Sequence, residues 1–178
     1  EFGNIEFFFE EIFQSQSSEI QTFLMKTSIL EQFCPSLCDQ VVDNTLSQVN
    51  LKFLEDNNLF LIALDRKGEW FRYHTLFQVL LQKQLKHLKP GIIPDLHLKA
   101  SQWFEENGNL SQAILHAFDS QDLSRTSELI ERAADATLMH GEIKTFLNWC
   151  EKLPEEIASQ RPLLSLYHAE ALLLMGKP

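Results

Sequence analysis

The sequence predicts a mainly α-helical protein with one small β-hairpin, and three observations support this prediction. Apolar residues recur at helical spacing over most of the chain. Between Asn58 and Tyr73, two short apolar runs flank a polar turn that contains a glycine, which is typical of a hairpin. From Pro94 onward the chain reads as helical throughout, and glycines punctuate it at intervals of 33 and 35 residues.

Three short helices are predicted before the hairpin. Ser17 and Ser18 offer N-cap oxygens to a first helix, whose apolar residues lie between positions 20 and 30. Pro35 suits the first position of a second helix, because a residue there needs no N–H donor. A third amphipathic helix covers residues 46–54 and ends in a polar stretch.

The hairpin is followed by a long amphipathic helix. Residues 58–64 form the first strand, residues 65–68 the turn, and residues 69–73 alternate well enough for a second strand. The apolar stripe of the next helix consists of Phe77, Leu80, Leu81, Leu85 and Leu88. Three helices, a hairpin and a further helix follow one another in the order of a winged helix.

The second half of the chain is predicted to consist of helical repeats. Proline and glycine residues between positions 89 and 94 break the preceding helix and mark the best domain boundary. Gly108, Gly141 and Gly176 each follow an apolar helix, and a period near 34 residues is typical of tetratricopeptide-like antiparallel helical hairpins. We therefore predict a winged-helix domain at residues 1–89 and a truncated repeat array at residues 90–178.

The last predicted helix leaves an apolar face open. This face is formed by Leu163, Leu164, Leu166, Tyr167, Ala171, Leu172, Leu174 and Met175. Repeat arrays need a polar cap at each end. We therefore expect the chain to be a piece of a longer protein, and we expect self-association through this edge.

Charge and composition restrict the partners and the compartment. The net charge of −10 and the pI near 5.0 oppose a nucleic-acid surface. Residues 66–99, however, hold 7 basic and 2 acidic side chains, so this segment is either a patch for phosphates or an acidic partner, or a solvated face. Three cysteines without a secretory signal favour the cytoplasm. No apolar run approaches the roughly 18 residues of a membrane span.

The sequence offers little catalytic or metal-binding chemistry. Cys34 and Cys38 lie four positions apart with no second pair of ligands nearby, so a packed role for Cys38 is preferred over a zinc site. The other histidines are scattered one per helix, at positions 87, 97, 116, 140 and 168. Adjacent glutamates do not face each other on a helix, which excludes paired acid and base work. We therefore expect no catalytic residues, no metal site and no enzymatic activity.

Four stretches of the chain resemble, in order, successive blocks of the large MalT-like, LuxR-type ATP-dependent transcription activators. These are FLMKTSILEQFCPSLCDQVV, LEDNNLFLIALDRKGEWFRYHTLFQVLL, LHLKASQWFEENGNLSQAILHAF and GEIKTFLNWCEKLPEEIASQRPLLSLYHAEALLLMGK. Such proteins belong to the signal-transduction ATPases with numerous domains (STAND class). They join an N-terminal NTPase domain, a winged helix, a helical repeat sensor and a C-terminal LuxR-type DNA-binding domain. The resemblance implies that this chain covers the winged helix and the start of the sensor.

The resemblance also implies a role for His74. The class carries a histidine in a Met-His-Asp-like triplet at the helix start after the hairpin, and that histidine contacts the β-phosphate of ADP bound to the neighbouring NTPase domain. Tyr73-His74-Thr75 stands at this position. An imidazole at a helix N-terminus suits a phosphate. Thr75 replaces the aspartate of the class, so no role of that carboxylate carries over. The alternative is that His74 only caps or packs its helix.

The resemblance implies a regulatory relay. The winged helix would hold its own NTPase domain closed over ADP until an inducer or an inhibitory protein acts on the repeats, and the activator would then multimerise. This chain would need no cofactor itself, while ATP or ADP and Mg²⁺ would bind the NTPase domain, and DNA the C-terminal domain. A plain repeat scaffold for protein interactions is the alternative. Direct DNA reading by the winged helix is disfavoured by Glu69, Trp70 and Phe71 in the wing.

Overall fold

A computed structural model describes residues 9–176 of the chain, and within them it contains eleven α-helices and one two-stranded sheet. The predicted mainly α-helical fold with a single small hairpin is thereby confirmed. The chain divides into two compact units, one up to Ala100 and one from Ser101 onward. The domain boundary placed at residues 89 and 90 from the sequence stays a prediction.

The first unit contains five helices around the hairpin and the start of a sixth. Its elements are α1 (residues 9–14), α2 (Ser18–Thr27), α3 (Pro35–Val42), α4 (Ser47–Asp56), β1 (Leu61–Ala63), β2 (Phe71–Tyr73), α5 (Thr75–Leu88), a 3₁₀ turn (Pro90–Ile92) and the beginning of α6 (Ile93–Glu106). Ser17 caps α2 through its side chain, as the sequence predicts, and Pro35 opens α3. The Ser17 hydroxyl accepts the Ile20 N–H at 3.3 Å, and Pro35 has no N–H that would need a partner at the first position of α3.

The hairpin pairs with one more residue that sequence reasoning missed. Strands β1 and β2 run antiparallel, with Ala63 opposite Phe71. On its other side, Phe71 forms an isolated bridge with Phe33, in which the two N···O distances are 2.9 and 2.8 Å. Phe33 lies between α2 and α3, so the chain crosses the edge of the hairpin before it forms α3. A single bridging residue has no alternating pattern, and therefore no periodic signal could reveal it.

Tyr73, the last residue of β2, is completely enclosed in an aromatic core. Its ring centroid lies 4.7 Å from that of Phe33 and 5.8 Å from that of Phe77. The hydroxyl oxygens of Tyr73 and Thr27 are 2.7 Å apart. Because the Thr27 hydroxyl donates its proton to the Phe23 carbonyl, also at 2.7 Å, Tyr73 must be the donor to Thr27. Burial, and next the nearby Cys38, raise the pKa of Tyr73, so its hydroxyl keeps the proton.

Two glutamines attach α5 to the end of α2. The Gln78 amide donates to the carbonyls of Ser28 and Leu30 at 2.9 and 2.8 Å. The Gln82 amide donates to the Ser28 carbonyl at 2.8 Å. Carbonyls at the end of a helix have no hydrogen-bond donor within the helix, and the two glutamine amides donate to them. The helix after the hairpin is thus fixed by polar contacts as well as by its apolar stripe.

Asp65 organises the turn of the hairpin. Its two carboxylate oxygens accept the backbone N–H groups of Glu69 at 2.9 Å and Trp70 at 3.1 Å. Gly68 takes a positive φ of 66° in the same turn, a conformation that suits a residue without a side chain. The hydrogen bond from Glu69 is the main cause of a lowered pKa at Asp65. The predicted polar turn at residues 65–68 is confirmed.

The second unit is built from helical hairpins. It contains the end of α6, then α7 (Leu110–Asp119), α8 (Leu123–Met139), α9 (Ile143–Glu151), α10 (Glu155–Ala158) and α11 (Pro162–Leu174). Helix α8 packs against α7, α9 and α11. Gly108 and Gly141 both take a φ of 76° at the turns between helices, which explains why glycine punctuates the sequence there. Asn109 and Asp122 cap the helices that follow.

We predict unequal effects of removing the two hydroxyls of the Tyr73–Thr27 pair. Tyr73→Phe deletes a donor and should lower the free energy of unfolding by about 1 kcal/mol. Thr27→Val should cost about 2 kcal/mol, because it leaves the buried Tyr73 hydroxyl without an acceptor. The double variant should lose less than the sum of the two. Urea unfolding of the unchanged protein, the two single variants and the double variant measures these free energies. Additive losses would show that the two hydroxyls do not interact.

We also predict a pH-dependent wing turn. Because the pKa of Asp65 is lower in the folded chain, its stabilising effect is present above its unfolded pKa of about 3.9 and is lost as pH falls through the folded value. NMR of the Asp65 carboxyl carbon should give a pKa below about 3.9. The chemical shifts of the Glu69 and Trp70 amide protons should change over the same pH range. Titration at or above that value would contradict the hydrogen bonds assigned to this turn.

Candidate functional site at the start of α5

His74 occupies the N-cap of α5, immediately after the hairpin. Its backbone N–H donates to the Phe60 carbonyl at 2.8 Å, and its carbonyl accepts the Gln78 N–H at 3.0 Å. The backbone is thereby held on both sides, by the entrance to β1 and by the first turn of α5. The side chain is exposed and makes no capping hydrogen bond. The alternative that His74 caps or packs its helix through the imidazole is therefore not supported.

The imidazole is available to a group from outside. Within residues 9–176 it takes part in no hydrogen bond or ion pair. It stands where the N–H groups of the first turn of α5 point out of the helix, and the partial positive charge of a helix N-terminus favours an anion. The arrangement can therefore offer a histidine N–H and a positive helix end to one anionic group.

Phe60 holds the position of His74 and was not singled out from the sequence. Its φ of 56° lies in the left-handed region, where a bulky side chain costs about 1 to 2 kcal/mol. The Phe60 ring stacks on Phe77 of α5 with centroids 4.8 Å apart, and this packing stabilises the strained backbone. The Phe60 carbonyl then accepts the His74 N–H. Only Asn57 and Asn58, which favour a chain reversal, signal this region in the sequence.

The basic segment identified from the sequence is spread over several elements. Arg66 and Lys67 are exposed at the hairpin turn. Lys86 and Lys89 are exposed near the end of α5, far along the helix from His74. Lys99 is neutralised by Asp43 and Asp95, at 2.6 and 2.7 Å. These side chains lie on different elements and supply a diffuse positive potential.

Helix α4, the last helix before the hairpin, does not present a surface suited to DNA. Its exposed side contains Leu46, Val49 and Phe53. The only cation on this helix, Lys52, pairs with Asp56 at 2.8 Å and with Glu55 at 3.5 Å. DNA affinity depends on cations that contact phosphates. The composition of α4 therefore agrees with the sequence argument against direct DNA reading.

The three cysteines and His116 are buried in the core. Cys34 and Cys38 are buried free thiols, and burial raises the pKa of Cys38 well above its usual range. Burial also raises the pKa of Cys150 to about 12. His116 is buried and stacks on Phe104, with ring centroids 5.4 Å apart. Across the part of the chain that the structure describes, no three His, Cys, Asp or Glu side chains lie together as metal ligands. In the same part, no helix has the length and apolar character to cross a membrane.

Comparison with known proteins places this site in a family. Residues 9–92 match the family model described as the MalT winged helix domain. The serine/threonine-protein kinase PknK of Mycobacterium tuberculosis is 30% identical over 173 residues, which cover 97% of this chain and 16% of that protein. The HTH-type transcriptional regulator MalT of Cronobacter sakazakii is 28% identical over 160 residues, which cover 90% of this chain and 18% of the regulator.

The chain spans about a sixth of the length of these relatives. The family match begins at α1 and ends in the 3₁₀ turn before α6, so it includes the hairpin, His74 and the whole of α5. The resemblance noted from the sequence blocks is thus confirmed, and residues 9–92 of the chain belong to the MalT winged helix family.

Proposed function

We propose that this chain is the signal-relay part of an ATP-dependent, MalT-type transcription regulator. In this proposal the winged helix docks on an NTPase domain of the same protein and holds it in the ADP-bound, inactive state. The helical hairpins from α6 onward form part of the sensor that releases it. The observation that carries the proposal is the exposed, unpartnered His74 imidazole at the N-cap of α5, within a winged helix of the MalT family.

The geometry of His74 supports a phosphate contact. To contact a phosphate on another domain, a side chain must be free of partners in its own domain, and its backbone must be held in place. His74 has both, because its N–H and carbonyl are bonded to Phe60 and Gln78 while its imidazole faces solvent. ADP, ATP and Mg²⁺ would be bound by the NTPase domain, since the phosphate-cradling GxxxxGK[ST] motif does not occur in these 178 residues.

The relatives support a regulatory rather than a catalytic role for this region. One relative is named as a protein kinase and another as a transcriptional regulator, yet both resemble this chain over at least 90% of its length. A region shared by proteins with such different names is suited to control and not to one particular reaction. We therefore propose no enzymatic activity and no metal site for the chain itself, and a cytoplasmic location.

The sensor role of the second unit rests on its architecture. Stacked helical hairpins present extended surfaces to ligands and partners. An inducer or an inhibitory protein bound there would shift the winged helix away from the NTPase domain, and DNA would be contacted by a separate C-terminal domain. The alternative function, an interaction scaffold without a nucleotide switch, is favoured by the exposed apolar side chains of α11.

We predict that His74→Ala in the full-length protein weakens ADP binding more than ATP binding. A charge-assisted contact made only in the closed state is worth roughly 1.5 to 3 kcal/mol, or about 10- to 150-fold in the equilibrium between states. Basal transcription without inducer should rise accordingly. Isothermal titration with each nucleotide and a reporter assay measure the two effects.

The control is His87→Ala, which removes another exposed histidine of the same helix and should change neither nucleotide affinity nor basal transcription. The unfolding free energy of the 178-residue chain should be nearly the same in both variants. Equal weakening of ADP and ATP by His74→Ala, or a normally folded variant that stays silent without inducer, would favour the scaffold.

A further inference from the structure

Arg72 lies in the middle of β2 and points away from the aromatic core. Its two neighbours in the strand, Phe71 and Tyr73, are buried, whereas Arg72 is only partly buried. Successive side chains of a β-strand point to opposite faces of the sheet. The Arg72 side chain therefore leaves the hairpin on the face opposite to Tyr73.

His74 follows β2 directly and places its side chain on the same face as Arg72. Arg72 pairs with Ile62 of β1. Two residues further on, the His74 N–H donates to the Phe60 carbonyl at 2.8 Å, so the pairing continues past the end of β2. Residues i and i+2 of a strand share a face, with Cα atoms about 6.6 Å apart. The long side chain of Arg72 can therefore reach a group that the His74 imidazole contacts.

Arg72 differs from the other partly buried cations in having no partner. Among residues 9–176, no hydrogen bond, ion pair or cation–π contact involves its guanidinium. All the other partly buried lysines and arginines of this range contact an oxygen acceptor: Lys26, Lys99, Arg125 and Arg161. A cation that loses part of its hydration without gaining an anion is costly. The position of Arg72 is therefore suited to an anion from outside this part of the chain.

A phosphate carries more charge than one imidazole can neutralise. A terminal phosphate has a charge of roughly −1.5 to −2 near pH 7, whereas an ordinary imidazole is mostly neutral there. A guanidinium is always protonated, and its planar fork can donate to two phosphate oxygens at once. Arg72 thus supplies the positive charge that a phosphate held by His74 alone would lack.

We propose that Arg72 and His74 bind the same β-phosphate of ADP, the arginine through two N–H groups and the histidine through one. This inference rests on the proposed docking of the winged helix on an NTPase domain, and it adds a second binding residue to that contact. An acidic side chain of the NTPase domain is a poorer partner for Arg72, because the winged helix would then bring no cation to the phosphate beside His74.

Nucleotide binding by the full-length protein tests this assignment. Arg72→Gln should weaken ADP binding by about 10- to 150-fold, because it removes charge-assisted hydrogen bonds to the β-phosphate. AMP has no β-phosphate, so its affinity should not change. Arg72→Lys keeps the charge but loses the planar fork, and its ADP affinity should lie between the two. Competition against a fluorescent ADP analogue measures ADP and AMP on one scale.

Arg66→Gln is the matched control, because it removes an exposed arginine of the same hairpin with the same change of charge. It should leave the ADP affinity unchanged, and neither variant should lower the free energy of unfolding of the 178-residue chain. Equal weakening of ADP and AMP by Arg72→Gln would overturn the proposal in favour of an acidic partner side chain. An ADP affinity that survives Arg72→Gln would overturn it outright.

The variant His74→Ala separates this inference from the proposed function. If His74→Ala weakens ADP binding and Arg72→Gln does not, the nucleotide relay stands and the assignment of Arg72 is wrong. If Arg72→Gln weakens ADP but not AMP while His74→Ala changes neither, the Arg72 contact stands and the role of His74 is wrong.

Discussion

The Tyr73 side chain, whose ring fills the aromatic core and whose hydroxyl donates to Thr27, is the constraint on which the first unit depends. It joins the end of β2 to the end of α2 in a place without water, where the bond cannot be exchanged for one to solvent. Phe33 and Phe77 pack on the same ring, so the crossing before α3 and the helix after the hairpin meet at one residue.

The position of His74 follows from that core. Because Tyr73 is enclosed, the next residue lies outside the core, and α5 begins directly after it. The hydrogen bonds from the Gln78 amide to the Ser28 and Leu30 carbonyls fix the first turn of α5. The strained backbone of Phe60 adds a second fixed point through its hydrogen bond to the His74 N–H. The result is an exposed imidazole on a fixed backbone, which is the arrangement that the proposed phosphate contact requires.

Sequence patterns predicted the elements that have a regular spacing or a local chemical signal. They missed the features that depend on single contacts between distant residues. The hairpin, the Ser17 cap, the Pro35 start and the turn glycines all have local chemical causes, so they could be predicted from neighbouring residues. The bridge between Phe33 and Phe71 and the left-handed Phe60 depend on residues far apart in the chain, and no local pattern encodes them. His74 was identified through its position and the family resemblance, whereas its freedom from partners could be seen only in the folded chain.

The central claim is that the winged helix presents His74 to ADP on an adjacent NTPase domain. A crystal structure of the protein with that domain and bound ADP tests it most directly. We expect an imidazole nitrogen within roughly 3 Å of a β-phosphate oxygen, with Tyr73 still buried and α5 still beginning at Thr75. A structure with ADP bound in which His74 faces solvent, and another side chain contacts the β-phosphate, would contradict it.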